Sequence, residues 1–243
     1  MLTIEIAGVP FEVRCRFEEK NRNFFRDYLT ENPPLFSIEP SEDDMERIRE
    51  EFARISLSLG TKKTQDRDAL VENNAIFGLA AEKLARYGAL LVHGSALCMD
   101  GEAYIFTAPS GTGKSTHARL WREVFGDRVW MVNDDKPMLK IGESGVSVWG
   151  TPWMGKHRLG RNASAPLKAI VSLHRDETNH IEKMSKSDAF PVMLDQAYVS
   201  RDPATMARIM DLEKQLLDTV DFYTLGCDMR PEAALTAWKG MNR

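Results

Sequence analysis

The segment Ala108-Pro109-Ser110-Gly111-Thr112-Gly113-Lys114-Ser115 constrains this chain more than any other. Its spacing is that of a P-loop, a turn whose backbone N–H groups wrap the phosphates of a nucleotide. Gly111 and Gly113 permit backbone angles and close approaches that a Cβ would block. Residues 103–107 before it are a β-rich run, and Ala118, Trp121 and Phe125 after it share one stripe of a helix expected over 114–125. Strand, glycine loop and helix in that order turn the orphan N–H groups and positive end of the helix toward an anion. Ser110, Gly111, Thr112, Gly113, Lys114, Ser115 and Thr116 are the expected nucleotide contacts. Lys114 is placed to reach the β- and γ-phosphates, and the Ser115 hydroxyl to ligate Mg²⁺. The first glycine of the usual pattern is here Ala108, a small residue at the strand end.

Two further stretches lie close by. Residues 129–132 form a short apolar strand that ends in Asn133-Asp134-Asp135. Carboxylates at a strand's C-terminal end stand where α/β sheets bind ligands, and they can hold a metal or take a proton from a hydroxyl. Asn-Asp-Asp is also good turn composition. Upstream, residues 89–92 lead into His93-Gly94, and Asp100-Gly101 is a two-residue hairpin signal. The strand holding His93 is thus expected to pair antiparallel with the strand that feeds the glycine loop. That brings His93 toward the phosphate site as a contact or catalyst, the alternative being a structural histidine.

A third stretch, residues 150–161, sets Lys156, His157 and Arg158 between Gly155 and Gly160, just after Trp153. Such a loop can bring a cation onto a transferred phosphoryl group or an acidic substrate, or it can be a solvated basic loop. Lys156 and Arg158 are the preferred pair.

His-Gly, a hairpin, Ser-Gly-x-Gly-Lys-Ser and Asp-Asp at this spacing resemble the catalytic domain of HPr kinase/phosphorylase, which shares a P-loop superfamily with phosphoenolpyruvate carboxykinases. The resemblance covers residues 89–135 well and the remainder loosely. It implies a nucleotide-dependent kinase using Mg²⁺ or Mn²⁺ on a serine-type hydroxyl. It also implies that His93, Asp134 and Asp135 join the loop in the active site, with Asp134 as the base; a phosphotransferase reading then places the metal on Ser115 and Asp135. The chain departs from the family in lacking a downstream Glu-Ile-Arg-Gly signature and a separate N-terminal domain. It looks nearer to shorter HPr-kinase-like proteins, some associated with peptide-modification clusters where they phosphorylate a peptide serine.

Composition narrows the remaining classes. With 243 residues, 43% hydrophobic and 28% charged, the chain can bury a sizeable core. A formal net charge of −4 argues against nucleic acid or an anionic membrane as the main partner. Cys15, Cys98 and Cys227 are few, scattered and odd in number, which fits a reducing compartment rather than a disulfide framework. No apolar run approaches a membrane span and the start lacks signal-peptide character, so a cytoplasmic protein is expected.

In order, residues 1–16 predict two short strands around Gly8-Val9-Pro10, and 42–52 a helix with Glu42, Asp43 and Asp44 at its solvated start. Residues 60–68 read as a linker, and 68–87 as a helix stopped by Gly88. Residues 137–141 and 146–149 predict another hairpin, 167–173 a strand, and Ser185 to Asp188 a capping box opening a helix that runs to 199. A helix through 206–220, a strand at 222–225 and a last helix opened by Pro231 follow. The expected architecture is α/β. A mixed-sheet P-loop kinase core of the HPr kinase/PEP carboxykinase type spans 68–243, with helices packed on it, and residues 1–67 add a β-rich N-terminal layer.

The expected function is transfer of the γ-phosphoryl of ATP, or of GTP, to a serine-type hydroxyl of a protein, a peptide or a small molecule. The alternative is a nucleotide-binding regulatory or peptide-recognition protein with little catalysis. The short chain argues against a carboxykinase. A homo-oligomer stays open.

Overall fold

The computed structural model describes residues 1–58 and 68–242. The expected linker at 60–68 falls, apart from Asp68, outside the described residues. Two compact units, Met1–Leu84 and Ala85–Arg243, make up the chain, whereas the sequence reading divided it at 67/68.

In the first unit β1 (Leu2–Ile6) and β2 (Val9–Val13) form an antiparallel hairpin. Its turn is Ala7-Gly8, at φ 53° and 70°, and Val9 and Pro10, expected in the turn, already pair with Ile6 and Glu5. Two successive positive φ values match the right-handed twist of the strands, which is why this two-residue turn is preferred there. Helix α1 (Glu18–Phe24) follows, then β3 (Ser37–Ile38) parallel to β2, α2 (Glu42–Ser58) and α3 (Asp68–Ala85). Helix thus outweighs strand here, although the alternation of the first 16 residues suggested a β-rich segment.

The buried Glu72 carboxylate of α3 reaches back to the start of α1 within this unit. It accepts the N–H groups of Arg16 and Phe17 at 2.6 and 3.1 Å and the Asn21 amide at 2.8 Å. An anion at the start of α1 meets orphan donors and the positive end of the helix, so α3 and α1 hold each other.

The second unit is α/β, built on a curled mixed sheet. Its elements are β4 (Ala89–Leu91), β5 (Ser95–Met99), β6 (Glu102–Thr107), α4 (Lys114–Phe125), β7 (Val129–Asn133), β8 (Met138–Gly142) and β9 (Gly145–Trp149). Then come β10 (Ser164–Arg175), β11 (His180–Lys183), α5 (Lys186–Gln196), α6 (Pro203–Thr219), β12 (Asp221–Cys227) and α7 (Glu232–Met241). The strand order is β4-β8-β9-β10-β6-β5-β7, with β12 also paired to β10 and β11 to β12. The 12-residue β10 joins the two portions. Its first residues pair antiparallel with β9, and those from Ala169 on lie parallel to both β6 and β12.

Side chains alternate across this sheet, and both faces are buried. Ala96 and Cys98 of β5, Ala103 and Ile105 of β6 and Ile170 of β10 pack with Ala189, Met193, Ile209, Leu212 and Leu216 of α5 and α6. Leu97, Met99, Tyr104, Phe106 and Val171, on the opposite face, pack with Ala118, Leu120 and Trp121 of α4 and Ala233, Ala234 and Ala237 of α7. Strands covered on both sides read as continuous apolar runs, as residues 96–99 do. Trp121 is fully buried, with ring centroids 5.1, 5.4 and 5.1 Å from Tyr104, Phe106 and Phe125. A side chain of that size buried this way stabilises by roughly 3 kcal/mol. Among the described residues, no helix is long and apolar enough to cross a membrane.

This topology decides which chain ends meet. β5 is antiparallel to both β6 and β7, so β6 and β7 run the same way. The end of β6, the end of β7 and the start of β5 therefore share one edge of the sheet. The parallel β10 and β12 end on that edge as well.

Candidate functional site

The glycine loop joins β6 to α4 at that edge. Gly111 and Gly113 hold φ values of 79° and 133°, a region that a side chain strains. Among the described residues no side chain caps α4 at Gly113, and no acidic residue lies in its first turn. The first N–H groups of α4 thus lack the capping partner that most helices supply themselves. The Lys114 ammonium donates to the Ala108 carbonyl at 2.7 Å, folding back across its own loop. Burial pushes its pKa down, and the nearby Asp135 pulls it back up in part.

Arg175 at the end of β10 braces the loop from beside it. Its guanidinium donates to the carbonyl oxygens of Gly111 at 2.7 Å and Thr112 at 3.4 Å. Sequence reasoning missed this residue, because only the β10–β6 pairing brings position 175 next to position 111.

The carboxylates of Asp134 and Asp135 follow β7 directly. Asn133, with 0% exposure, orders this corner. Its Oδ1 accepts the N–H groups of Asp135 and Lys136 at 2.8 and 2.7 Å, and its amide donates to the carbonyls of Thr151 and Trp153 at 3.0 and 3.3 Å. One side chain thus ties the aspartate turn to the start of the basic loop. The Thr151 hydroxyl completes the tie by donating to the Lys136 carbonyl at 2.7 Å. Asn133 was visible in the sequence as part of a polar turn, but nothing local showed that it is buried.

Asp134 Oδ1 accepts the N–H of Gly155 at 2.8 Å. Asp135 Oδ1 lies 3.3 Å from His93 Nε2. Burial raises the Asp135 pKa most, but the His93 hydrogen bond and the charges of Lys136, His93 and Lys114 together outweigh it, so the carboxyl ends below its usual range. His93 lies between β4 and β5, not on the strand that pairs with β6. Three contacts hold it: its N–H donates to Gln196 O at 2.8 Å, its carbonyl accepts Thr107 Oγ1 at 3.1 Å, and its ring meets Asp135. The first of these also explains why α5 ends at Gln196 and not at the expected 199. The following residues pair with β4 and its extension, Tyr198 N–H donating to Leu91 O at 3.0 Å.

A cleft of about 420 Å³ opens between α4 and the basic loop, lined by Ser95, Ser115, Thr116, Arg119, Arg122, Asp134, Lys156 and His157 among others. Ser115, Asp134 and Lys156 are thus brought together. Arg158 is exposed, stands outside that lining and holds φ 49° in the turn its N–H closes onto Gly155 O at 3.0 Å. Arg119 and Arg122 were missed, yet Ser115, Arg119 and Arg122 follow the i, i+4, i+7 spacing of one helix face. On the other side of the loop, a cavity of about 450 Å³ is lined by Gly111, Thr112, Gly113, Thr116, His117, Arg175 and Asp228 among others. His117 is 2% exposed, and its Nε2 accepts the Trp121 indole N–H at 3.0 Å. Burial holds its pKa down at about 4.

The arrangement can bind an anion at the loop, hold a hard cation between hydroxyl and carboxylate oxygens, and present a carboxylate to a proton donor in the cleft.

No curated protein sequence matches this chain. Among solved structures it is similar to the Hpr(Ser) kinase/phosphatase from Coxiella burnetii at 10% identity and a TM-score of 0.37, over 63% of this chain and 99% of that one. The family model for SynChlorMet cassette protein ScmC matches residues 59–220, so ScmC stands where the sequence resemblance pointed to HPr kinase. By that match, which spans most of its length, the chain belongs to the ScmC family.

Proposed function

We propose that this protein is a P-loop kinase that transfers the γ-phosphoryl of ATP or GTP to a serine-type hydroxyl of a protein, peptide or small molecule. The observation that carries this reading is the convergence of the uncapped glycine loop, Lys114, Ser115 and the Asp134/Asp135 pair on one sheet edge. The nucleotide's phosphates fit the loop, where open space lies over Gly111 and Gly113 and the helix N–H groups have no side-chain cap. Ser115 Oγ and an Asp135 oxygen are the hard donors that suit Mg²⁺ or Mn²⁺. When bound, such an ion supplies neutralising charge on the phosphate oxygens.

The chain's own residues account for the remainder. Asp134 takes the acceptor hydroxyl's proton as that oxygen attacks the γ-phosphorus and the bond to the β-bridging oxygen breaks, releasing the nucleoside diphosphate. Its Oδ1 is engaged by Gly155, which leaves Oδ2 for the proton. Lys114 meets the charge gathering on the phosphoryl group, and Lys156 lines the 420 Å³ cleft with Ser115 and Asp134. His93 positions Asp135 through their contact. Arg158, exposed and outside the cleft lining, is assigned no contact with the phosphoryl group in this reading.

Transfer of labelled γ-phosphate into peptide and small-hydroxyl libraries tests the proposal. Wild-type protein should label an acceptor, and Asp134→Asn should bind nucleotide normally yet transfer about 10²–10⁴-fold more slowly. Full activity of Asp134→Asn removes it as the base. Tight nucleotide binding with no transfer to any acceptor favours a regulatory or peptide-recognition protein instead.

A further inference from the structure

Three side chains that the phosphate site does not use converge beyond it. His174 lies near the end of β10, Asp176 in the turn that follows, and His180 at the start of β11. One ligand atom from each lies within 4.8 Å of the others. We propose that His174, Asp176 and His180 form a binding site for one divalent transition-metal ion of the zinc class, taking two imidazole nitrogens and one carboxylate oxygen as its protein ligands.

Two imidazoles and a carboxylate are donors that zinc and its first-row neighbours accept, whereas Mg²⁺ and Ca²⁺ prefer oxygen alone. Metal–ligand bonds of about 2.0–2.2 Å bring donors to roughly 3–3.5 Å from one another, a closure within reach of side-chain torsions at the surface. Each ligand is already oriented by a neighbour of the kind that accompanies metal sites. His180 Nδ1 lies 3.2 Å from the Thr178 carbonyl, which can only accept, so Nδ1 is the donor there and Nε2 is the nitrogen left for a metal. His174 Nδ1 lies 3.3 Å from Thr224 Oγ1, which leaves its Nε2 outward. Asp176 Oδ1 accepts the N–H and hydroxyl of Thr178 at 3.0 and 3.2 Å, so its second oxygen is the ligand.

The surrounding backbone is built for this placement. A Cβ on Gly226 would stand 2.2 Å from His180 Cε1, so the ring keeps this place only beside a residue without a side chain. Asp176 N–H donates to Cys227 O at 3.1 Å, and Asn179 exchanges hydrogen bonds with Asp228 at 3.1 and 3.2 Å, which pins the turn to the end of β12. His174 and Asp176 also line the 450 Å³ cavity with Gly111 and Thr112. The metal's remaining coordination positions can therefore take water or an anion there. The site stands independently of whether the loop binds nucleotide.

Titration of the tag-free, chelator-treated full chain with Zn²⁺ by calorimetry, and with Co²⁺ by visible absorption, tests the site. One equivalent should bind with micromolar or tighter affinity, and the Co²⁺ spectrum should lack a thiolate charge-transfer band. His174→Ala and His180→Ala should each abolish that binding. Thr224→Val, which removes only the orienting hydroxyl, should weaken it about 10–100-fold. Circular dichroism of the metal-free variants checks the fold, and His174→Gln carries the test should either alanine variant misfold. Absence of a stoichiometric site, binding undiminished in the histidine variants, or a thiolate band would overturn the proposal. Unchanged affinity in Thr224→Val would overturn the orienting role of Thr224.

Discussion

The Asp134 carboxylate accepts the Gly155 N–H at 2.8 Å, and a Cβ on Gly155 would stand 3.1 Å from its Oδ2 and 3.3 Å from its Cγ. The basic loop and the proposed base are thus in direct contact at a residue without a side chain. Gly155→Ala should displace Asp134 by a few tenths of an ångström. Since a 1 Å misplacement can cost ~10²-fold, transfer should fall about 10-fold while nucleotide affinity holds. Steady-state kinetics beside a nucleotide titration measure both, and equal loss of both would show that the loop supports binding instead.

Asn133 joins the aspartate turn to the segment 151–153 through four main-chain partners. Asn133→Ala removes a partner from the part-buried N–H groups of Asp135 and Lys136 and from the Thr151 carbonyl, at about 2–4 kcal/mol in total. For a chain of this size that lowers the Tm by about 5–10 °C. Calorimetry checks it; an unchanged Tm would mean that water replaces the amide at no cost.

His117 should make the fold acid-sensitive. Its folded pKa is about 4, while a free imidazole titrates near ~6.5, so the unfolded chain binds more protons between those values. The contribution is complete above pH ~6.5 and is lost as pH falls toward 4, about 3 kcal/mol in all. His117→Gln keeps an acceptor for Trp121 and removes the titration. Denaturant melts across that window should show a flatter profile for the variant, and parallel profiles would contradict the assignment.

Glu213 on α6 works in the opposite sense. It is fully buried, neither carboxyl oxygen has a hydrogen-bond partner among the described residues, and burial raises its pKa. The neutral form suits the fold, so its contribution is present below the unfolded pKa of ~4.3 and is lost as pH rises through the folded value. Glu213→Met should raise stability at pH 7 by about 1–3 kcal/mol, with the gain shrinking toward pH 4. A loss of stability at pH 7 would reveal a role for the carboxylate.

Much of this was readable in the sequence where the signal is local. The glycine loop, its strand and its helix fall at the expected residues, as does the hairpin at Asp100-Gly101, because turn chemistry and apolar spacing act over a few residues. The capping box at Ser185 and Asp188 is present too, the Ser185 Oγ meeting the Asp188 N–H at 3.2 Å. What escaped was non-local. Position 133 gives no local sign that it is buried, and the hold of Arg175 on Gly111 follows from a strand pairing across 64 residues. Nothing local in residues 175–179 shows that His174 and His180 meet, since they do so only when β11 folds back along β12. Residues 1–16 suggested a β-rich start, while the burial of Glu72 that binds α3 to that unit depends on contacts more than 50 residues apart.

Calorimetric titration of the purified chain with Mg²⁺·ATP and Mg²⁺·GTP, beside the Lys114→Ala variant, tests the central claim most directly. The account predicts one site for at least one of these nucleotides, with affinity reduced at least ~10-fold in the variant, since a charged hydrogen bond to phosphate contributes about 1.5–3 kcal/mol. No binding of either nucleotide, or equal affinity in Lys114→Ala, would contradict it.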